Sequence, residues 1–207
     1  MIRSHPRPIR GVIFDLDGTI TVPVLDFAAI RADIETELGP ALFEGRPILE
    51  RLDALPDAER RRGYDILERH EAEGAGRSTL NDGAAELLAF LRETGIKTAI
   101  VTRNSRGSAE TVARKHGLAF DAIITRDDAP PKPSPEPLLL AARQIGLSTD
   151  EVIYVGDFEM DRLAGAAAGI PTYIVKVYPE PRDNGSPEMR VDSLADLINV
   201  VRSANEL

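Results

Sequence analysis

The chain has 207 residues, 43% of them hydrophobic, and a formal net charge of −9. That is enough apolar material for one sizeable core with a small appendage. It excludes a run long enough to span a membrane and, with no cysteine, a disulfide or thiolate metal site; an acidic chain is also a poor nucleic-acid binder. The N-terminus, MIRSHPRPIRG, carries arginines but no apolar leader after them. The expected location is therefore the cytoplasm, with neither a membrane nor a nucleic acid as partner. The one dense basic run, Arg60-Arg61-Arg62, lies in a strongly charged helical stretch and reads as a solvated helix face.

In chain order, the apolar run Ile9-Arg10-Gly11-Val12-Ile13 reads as a buried strand that leads into FDLDGTI, residues 14–20. Side chains alternate along a strand, so Asp15 and Asp17 leave its end on the same side. Two carboxylates held that close repel, so one keeps a proton or a cation sits between them. The ordinary alternative is a strand that ends in an Asp-Gly turn. Residues 21–80 contain no good strand. They read as helices over 26–38, over 46–55 with Pro47 at its start, and over 57–73. An insertion of about sixty residues is too long for a crossover loop. It is expected to be a small helical cap (residues 21–80) on a core made of residues 1–20 and 81–207, with Gly74, Gly76 and Asn81-Asp82-Gly83 as the return hinge.

From residue 82 onward strands and helices alternate. Helices are predicted over 82–94, 108–116, 135–146, 159–168 and 193–203, and strands over 97–101, 122–125, 151–155 and 171–175. Short apolar strands separated by helices mean an α/β fold with a parallel sheet covered on both faces.

Ligands of such sheets bind beyond the carboxyl ends of the strands. If the aspartates are functional, the other strand ends carry matching groups. The strand at 97–101 ends in Thr102-Arg103-Asn104-Ser105, hydroxyls and amides at the mouth of a helix, which suit an anion. The strand at 122–125 leads to Lys132 among Pro130, Pro131 and Pro133. The strand at 151–155 ends in Gly156-Asp157, with Asp161 one helical turn later. Taken singly, these are an N-cap, a linker lysine and a favourable first-turn acid. Together they place carboxylates, a hydroxyl and a lysine at four strand ends. Four acids share a pocket only with a cation, and hard oxygen ligands point to Mg²⁺, which commonly bridges to phosphate.

With DLDGT (Asp15, Asp17), VTRN (Thr102), KPSPEP (Lys132) and GDFEMD (Asp157, Asp161) in this order, the chain resembles the haloacid dehalogenase-like superfamily of hydrolases. The stretch LNDGAAELLAFLRETGIKTAIVTRN is similar to its phosphoglycolate phosphatase-like branch. The resemblance covers residues 9 to 177. It implies a Rossmann-like core with an inserted helical cap and a Mg²⁺-dependent phosphatase acting on a small phosphorylated metabolite. Asp15 would be the nucleophile and form an aspartyl phosphate, and Asp17 the acid and then the base. Mg²⁺ would be held by Asp15, the Asp17 carbonyl, Asp157 and Asp161. Thr102 and Lys132, with Arg103 and Asn104, would hold the phosphoryl group. A phosphomutase of the β-phosphoglucomutase kind would share every core residue. A dehalogenase lacks the acid that Asp17 supplies, and a non-catalytic relative would lack Asp15. A monomer or homodimer is expected. The chain departs from the branch at Ile20-Thr21-Val22-Pro23 and at Phe158, where a hydroxyl residue is usual. Both departures weaken an assignment to phosphoglycolate itself.

Overall fold

The computed structural model describes residues 8–175 and 189–206. The arginine-bearing start of the chain, residues 1–7, and the last two residues of the resemblance, 176–177, lie outside the described residues. Six strands form one parallel sheet: β1 (Gly11–Phe14), β2 (Lys97–Val101), β3 (Ala122–Ile124), β4 (Val152–Gly156), β5 (Thr172–Val175) and β6 (Met189–Val191). Their order is β3-β2-β1-β4-β5-β6. β1 reads Gly-Val-Ile-Phe and is buried at every position, as a central strand covered on both faces must be. One face packs beneath α4 (Ala84–Glu93), α5 (Arg106–Lys115) and α8 (Asp196–Asn205), through Leu87, Leu91, Val112 and Leu197. The other packs on α6 (Glu136–Gln144) and α7 (Glu159–Ala168), through Leu138, Ala141 and Ala164.

The strand order decides where a site can form. From β1 the chain builds outward through β2 and β3, then returns to the other side of β1 for β4, β5 and β6. The reversal lies between β1 and β4, and the crevice of such a sheet opens at the carboxyl ends of those two strands. Phe14 pairs with Val155 in parallel register. Asp15 and Asp157 therefore emerge from adjacent strand ends.

Between β1 and α4 the chain forms α1 (Phe27–Leu38), α2 (Ile48–Asp53) and α3 (Asp57–Arg77). These helices share an apolar cluster separate from the two flanking the sheet, built on Ile30, Ile34, Phe43, Leu49, Leu52 and Leu67. The segment leaves and returns through neighbouring extended stretches. Val22 N–H donates to the Thr79 carbonyl (2.9 Å) and Asn81 N–H to the Ile20 carbonyl (3.0 Å).

Three element readings need correction. The third helix runs four residues past Glu73, so Gly74 and Gly76 lie inside α3 and not in a hinge. At Gly74 a Cβ would come within 2.9 Å of Leu25 Cδ2, so the glycine there serves close packing against the outgoing linker. The helix expected at 108 begins at Arg106, because the Ser105 hydroxyl caps it by accepting from Ser108 N–H (3.4 Å). β6 was not anticipated: three residues with an exposed arginine in the middle carry no apolar run, and pairing with β5 alone makes them a strand. Among the described residues no helix is long and apolar enough to cross a membrane.

Candidate active site

At the end of β1, Asp15 N–H donates to the Val155 carbonyl of β4 (2.8 Å), which holds the residue in strand register. Its carboxylate Oδ1 accepts from Lys132 Nζ. Lys132 comes from the proline-rich stretch after β3 and is 3% exposed. Its ammonium also donates to Asp161 Oδ1 (2.6 Å) and to the Tyr154 hydroxyl (2.9 Å). Asp161 lies in the first turn of α7. Its other oxygen, Oδ2, accepts from the backbone N–H groups of Asp157 (3.2 Å) and Phe158 (3.0 Å), so its carboxylate fixes the turn that follows β4. Across that turn Gly18 sits at φ +91°, and a Cβ there would fall 2.2 Å from Asp157 Oδ2. Only glycine lets the loop after the two aspartates lie against the Asp157 carboxylate.

Asp15 and Asp17 have different surroundings despite sharing one turn. Asp15, Asp157 and Asp161 each offer a carboxylate oxygen, and these oxygens all lie within 4.8 Å of one another. The Asp17 carboxylate stands outside that cluster. Its Oδ1 accepts from the Thr21 hydroxyl (3.0 Å) and its Oδ2 from the Asn104 side-chain amide. Burial raises the pKa of Asp15 well above the usual carboxylate range, with Asp161 and Asp157 adding to the rise and Lys132 opposing it. Asp157 is raised to about 7, by burial first and then by Asp161. Asp17 is raised by burial, against the bonds from Asn104 and Thr21. Burial alone would lower Lys132, but Asp15 and Asp161 outweigh it and raise it. One ammonium thus faces three carboxylates. The excess of negative charge on hard oxygens is the donor set that suits a divalent cation such as Mg²⁺.

Of the residues singled out at the strand ends, Asp15, Lys132, Asp157 and Asp161 come together directly, and Asp17 joins them through the loop. Thr102 is buried beside the site, and its hydroxyl accepts from Asn104 N–H (3.2 Å). The side chains of Arg103 and Asn104 have partners within the chain. Asn104 gives its side-chain amide to Asp17. Arg103 donates to both oxygens of Glu50 on α2 (2.9 and 3.0 Å) and to the Lys132 carbonyl.

The site also uses residues to which no strand-end motif points. The Asn81 side-chain amide donates to the carbonyls of Gly18 (3.1 Å), Thr19 (2.8 Å) and Thr21 (3.1 Å), stitching the loop that carries Asp17. Glu71 reaches from α3 to pair with Arg126 and accept from Ser105 N–H (3.1 Å). Arg126 in turn donates to the Arg103 carbonyl (3.1 Å). This pair is buried, with 2% and 4% of the two side chains exposed, and it braces the 102–105 turn from both sides. Nothing in the local sequence distinguishes Glu71 from the other acids of a highly charged helix. Glu71→Ala would leave the buried Arg126 guanidinium with only the half-exposed Glu68 as a carboxylate partner, at 3.6 Å, a change expected to cost up to the roughly 3–5 kcal/mol of a broken buried pair. A urea titration is expected to show that loss, and a change below about 1 kcal/mol would mean the pair carries little of the fold's stability.

A family model described as haloacid dehalogenase-like hydrolase matches residues 9–169. The chain belongs to that family of hydrolases. It is 31% identical to the N-acetylmuramic acid 6-phosphate phosphatase of Pseudomonas putida, over 95% of this chain and 97% of that protein. It is 34% identical to the phosphoglycolate phosphatase of Xanthomonas campestris, over 79% of this chain and 81% of that one. Among solved structures, a hydrolase from Pseudomonas syringae superposes with a TM-score of 0.76 at 25% identity, covering 92% of this chain and 96% of that one.

Proposed function

We propose that the chain is a Mg²⁺-dependent phosphatase for a small phosphorylated metabolite, acting through an aspartyl phosphate on Asp15. The observation that carries this reading is the division between two neighbouring aspartates. Asp15 lies among Lys132, Asp157 and Asp161, whereas Asp17 is held apart by Thr21 and Asn104. This difference in surroundings supports giving the attack to Asp15 and the proton transfer to Asp17. The likeness to two phosphatases supports the reaction class, and their two different substrates leave the choice of metabolite to experiment.

Asp15 attacks phosphorus and forms a P–O bond, while the bond from phosphorus to the substrate oxygen breaks. The departing oxygen takes the proton of Asp17. Asp17, now ionised, accepts a proton from water as that water attacks the aspartyl phosphate. This frees phosphate and restores the Asp15 carboxylate and the Asp17 acid. Lys132 and Thr102 hold the phosphoryl oxygens, and Asn104 keeps Asp17 aimed at the leaving oxygen. Asp15, the backbone carbonyl of Asp17, Asp157 and Asp161 would hold Mg²⁺, which neutralises charge on the transferring group. Residues 21–80 form the cap that closes over the substrate and keeps water out during the first step. The Arg103–Glu50 pair joins that cap to the lysine loop. This reading assigns the protein to the cytoplasm, with no membrane or nucleic-acid partner, as a monomer or homodimer.

A panel of phosphorylated metabolites, assayed for free phosphate with Mg²⁺ and after chelation, tests the reading. Metal-dependent release from at least one small phosphate ester is expected; transfer back to a sugar without net release would favour a mutase. In the same assay Asp157→Ala removes an oxygen ligand, and the Mg²⁺ concentration for half-maximal rate is expected to rise at least about tenfold. An unchanged half-saturation point would show that the metal is held elsewhere.

A further inference from the structure

Tyr154 lies in the middle of β4, in the run Val-Ile-Tyr-Val-Gly, and none of its surface is exposed. An aliphatic residue fills such a place at no polar cost, whereas a buried phenol is tolerated only if its hydroxyl is bonded. Here the hydroxyl is fully used: it donates to Asp161 Oδ1 (2.6 Å) and accepts from Lys132 Nζ (2.9 Å). Lys132 also donates to that same Asp161 oxygen (2.6 Å). Tyrosine, lysine and aspartate thus close a ring of three contacts behind the catalytic carboxylate.

The ring limits what the ammonium can do. An ammonium has three N–H donors. Two are committed, to Tyr154 and to Asp161, so the third is left directed at Asp15. A lysine side chain has four rotatable bonds and no directional preference of its own. A carboxylate alone would let the ammonium slide around Asp161. The hydroxyl, fixed on a central strand, removes that freedom. The geometry points to Tyr154 as a positioning residue that aims the remaining Lys132 donor at the phosphoryl group on Asp15. This rests on the phosphatase reading and extends it to a residue outside the four motifs.

Tyr154→Phe keeps the ring and deletes the hydroxyl. With Mg²⁺ and a substrate from the panel, kcat is expected to fall about tenfold to a hundredfold, the scale of a catalytic group displaced by an ångström or less. KM should stay within about twofold, because ground-state binding does not need the exact aim. Affinity for orthovanadate, which mimics the five-coordinate phosphorus, should fall in proportion to kcat/KM. A kcat within twofold of wild type would overturn the inference. So would a kcat loss with unchanged vanadate affinity, since the hydroxyl would then be acting elsewhere than through Lys132. If Tyr154→Phe is too unstable to assay, the double variant with Lys132→Met reads the same contact as a coupling in the urea midpoint. Strictly additive losses would overturn the inference there. A wild type that turns over no ester and binds no vanadate would overturn the phosphatase reading together with this one. An active wild type with an indifferent Tyr154→Phe would remove this inference alone.

Discussion

Asp15→Asn is expected to lose turnover by on the order of 10⁴-fold or more, the scale that follows removal of a covalent nucleophile. The amide is nearly isosteric with the carboxylate, and its oxygen can still accept from Lys132, so the contact that fixes the ammonium survives. The fold is expected to survive as well. Ionised Asp15 is already disfavoured by burial and by the Asp161 and Asp157 carboxylates, so a neutral group relieves part of that repulsion even as it weakens the pairing with Lys132. The measurement is kcat at saturating substrate and Mg²⁺, beside a thermal melt and an intact mass that excludes deamidation back to aspartate. Wild-type turnover by protein of confirmed mass would end the aspartyl-phosphate mechanism.

Asp17→Asn is expected to cost roughly 10²–10⁴-fold on an alkyl phosphate, the range for losing a general acid–base. The effect depends on the leaving group. An alkoxide departs only with a proton, whereas a nitrophenolate leaves without one. The initial burst on nitrophenyl phosphate should therefore be much less affected than turnover of the alkyl ester. Steady-state turnover should fall for both, because water attacking the aspartyl phosphate then lacks its base, so pre-steady-state kinetics are required. Locally, Thr21 can still donate to the amide oxygen. The Asn104 amide, which donates to the other Asp17 oxygen, would meet a second donor and has to turn. Because the Asp17 side chain lies outside the Asp15, Asp157 and Asp161 cluster, half-saturation by Mg²⁺ should stay nearly constant. Equal losses of burst rate for both leaving groups at saturating Mg²⁺ would remove Asp17 as the acid.

Much of this was legible in the chain, for reasons of short-range physics. Strands β1 to β5 are largely apolar runs of three to five residues, and burial leaves few polar residues in them. The helix stops at Gly95, Gly117, Gly146 and Gly169 are left-handed positions that glycine adopts freely. Asp15, Asp17, Thr102 and Asp157 follow closely on such strands, and Lys132 and Asp161 lie in the segments after β3 and β4, so alternation and the rule for parallel sheets pointed to this end of the sheet without coordinates. Only the tertiary structure showed how their surroundings differ. Strand alternation alone puts Asp15 and Asp17 on one side, two residues apart, and only the family resemblance gave them different expected roles. Their surroundings differ because Lys132 returns from the far side of β2 to one, while Thr21 and Asn104 claim the other. Arg103 and Asn104 looked like anion ligands from position alone, yet Glu50 and Asp17 occupy their side chains, and Glu50 is 53 residues away in the chain. Glu71, Arg126 and Tyr154 carry no local mark at all, and Asn81 is marked only as part of an Asn-Asp-Gly turn. Each is an ordinary member of a helix, turn or strand until folding brings a charge or a carbonyl to it. A contact between distant residues is decided by topology and packing, and neither is written in any short window of sequence.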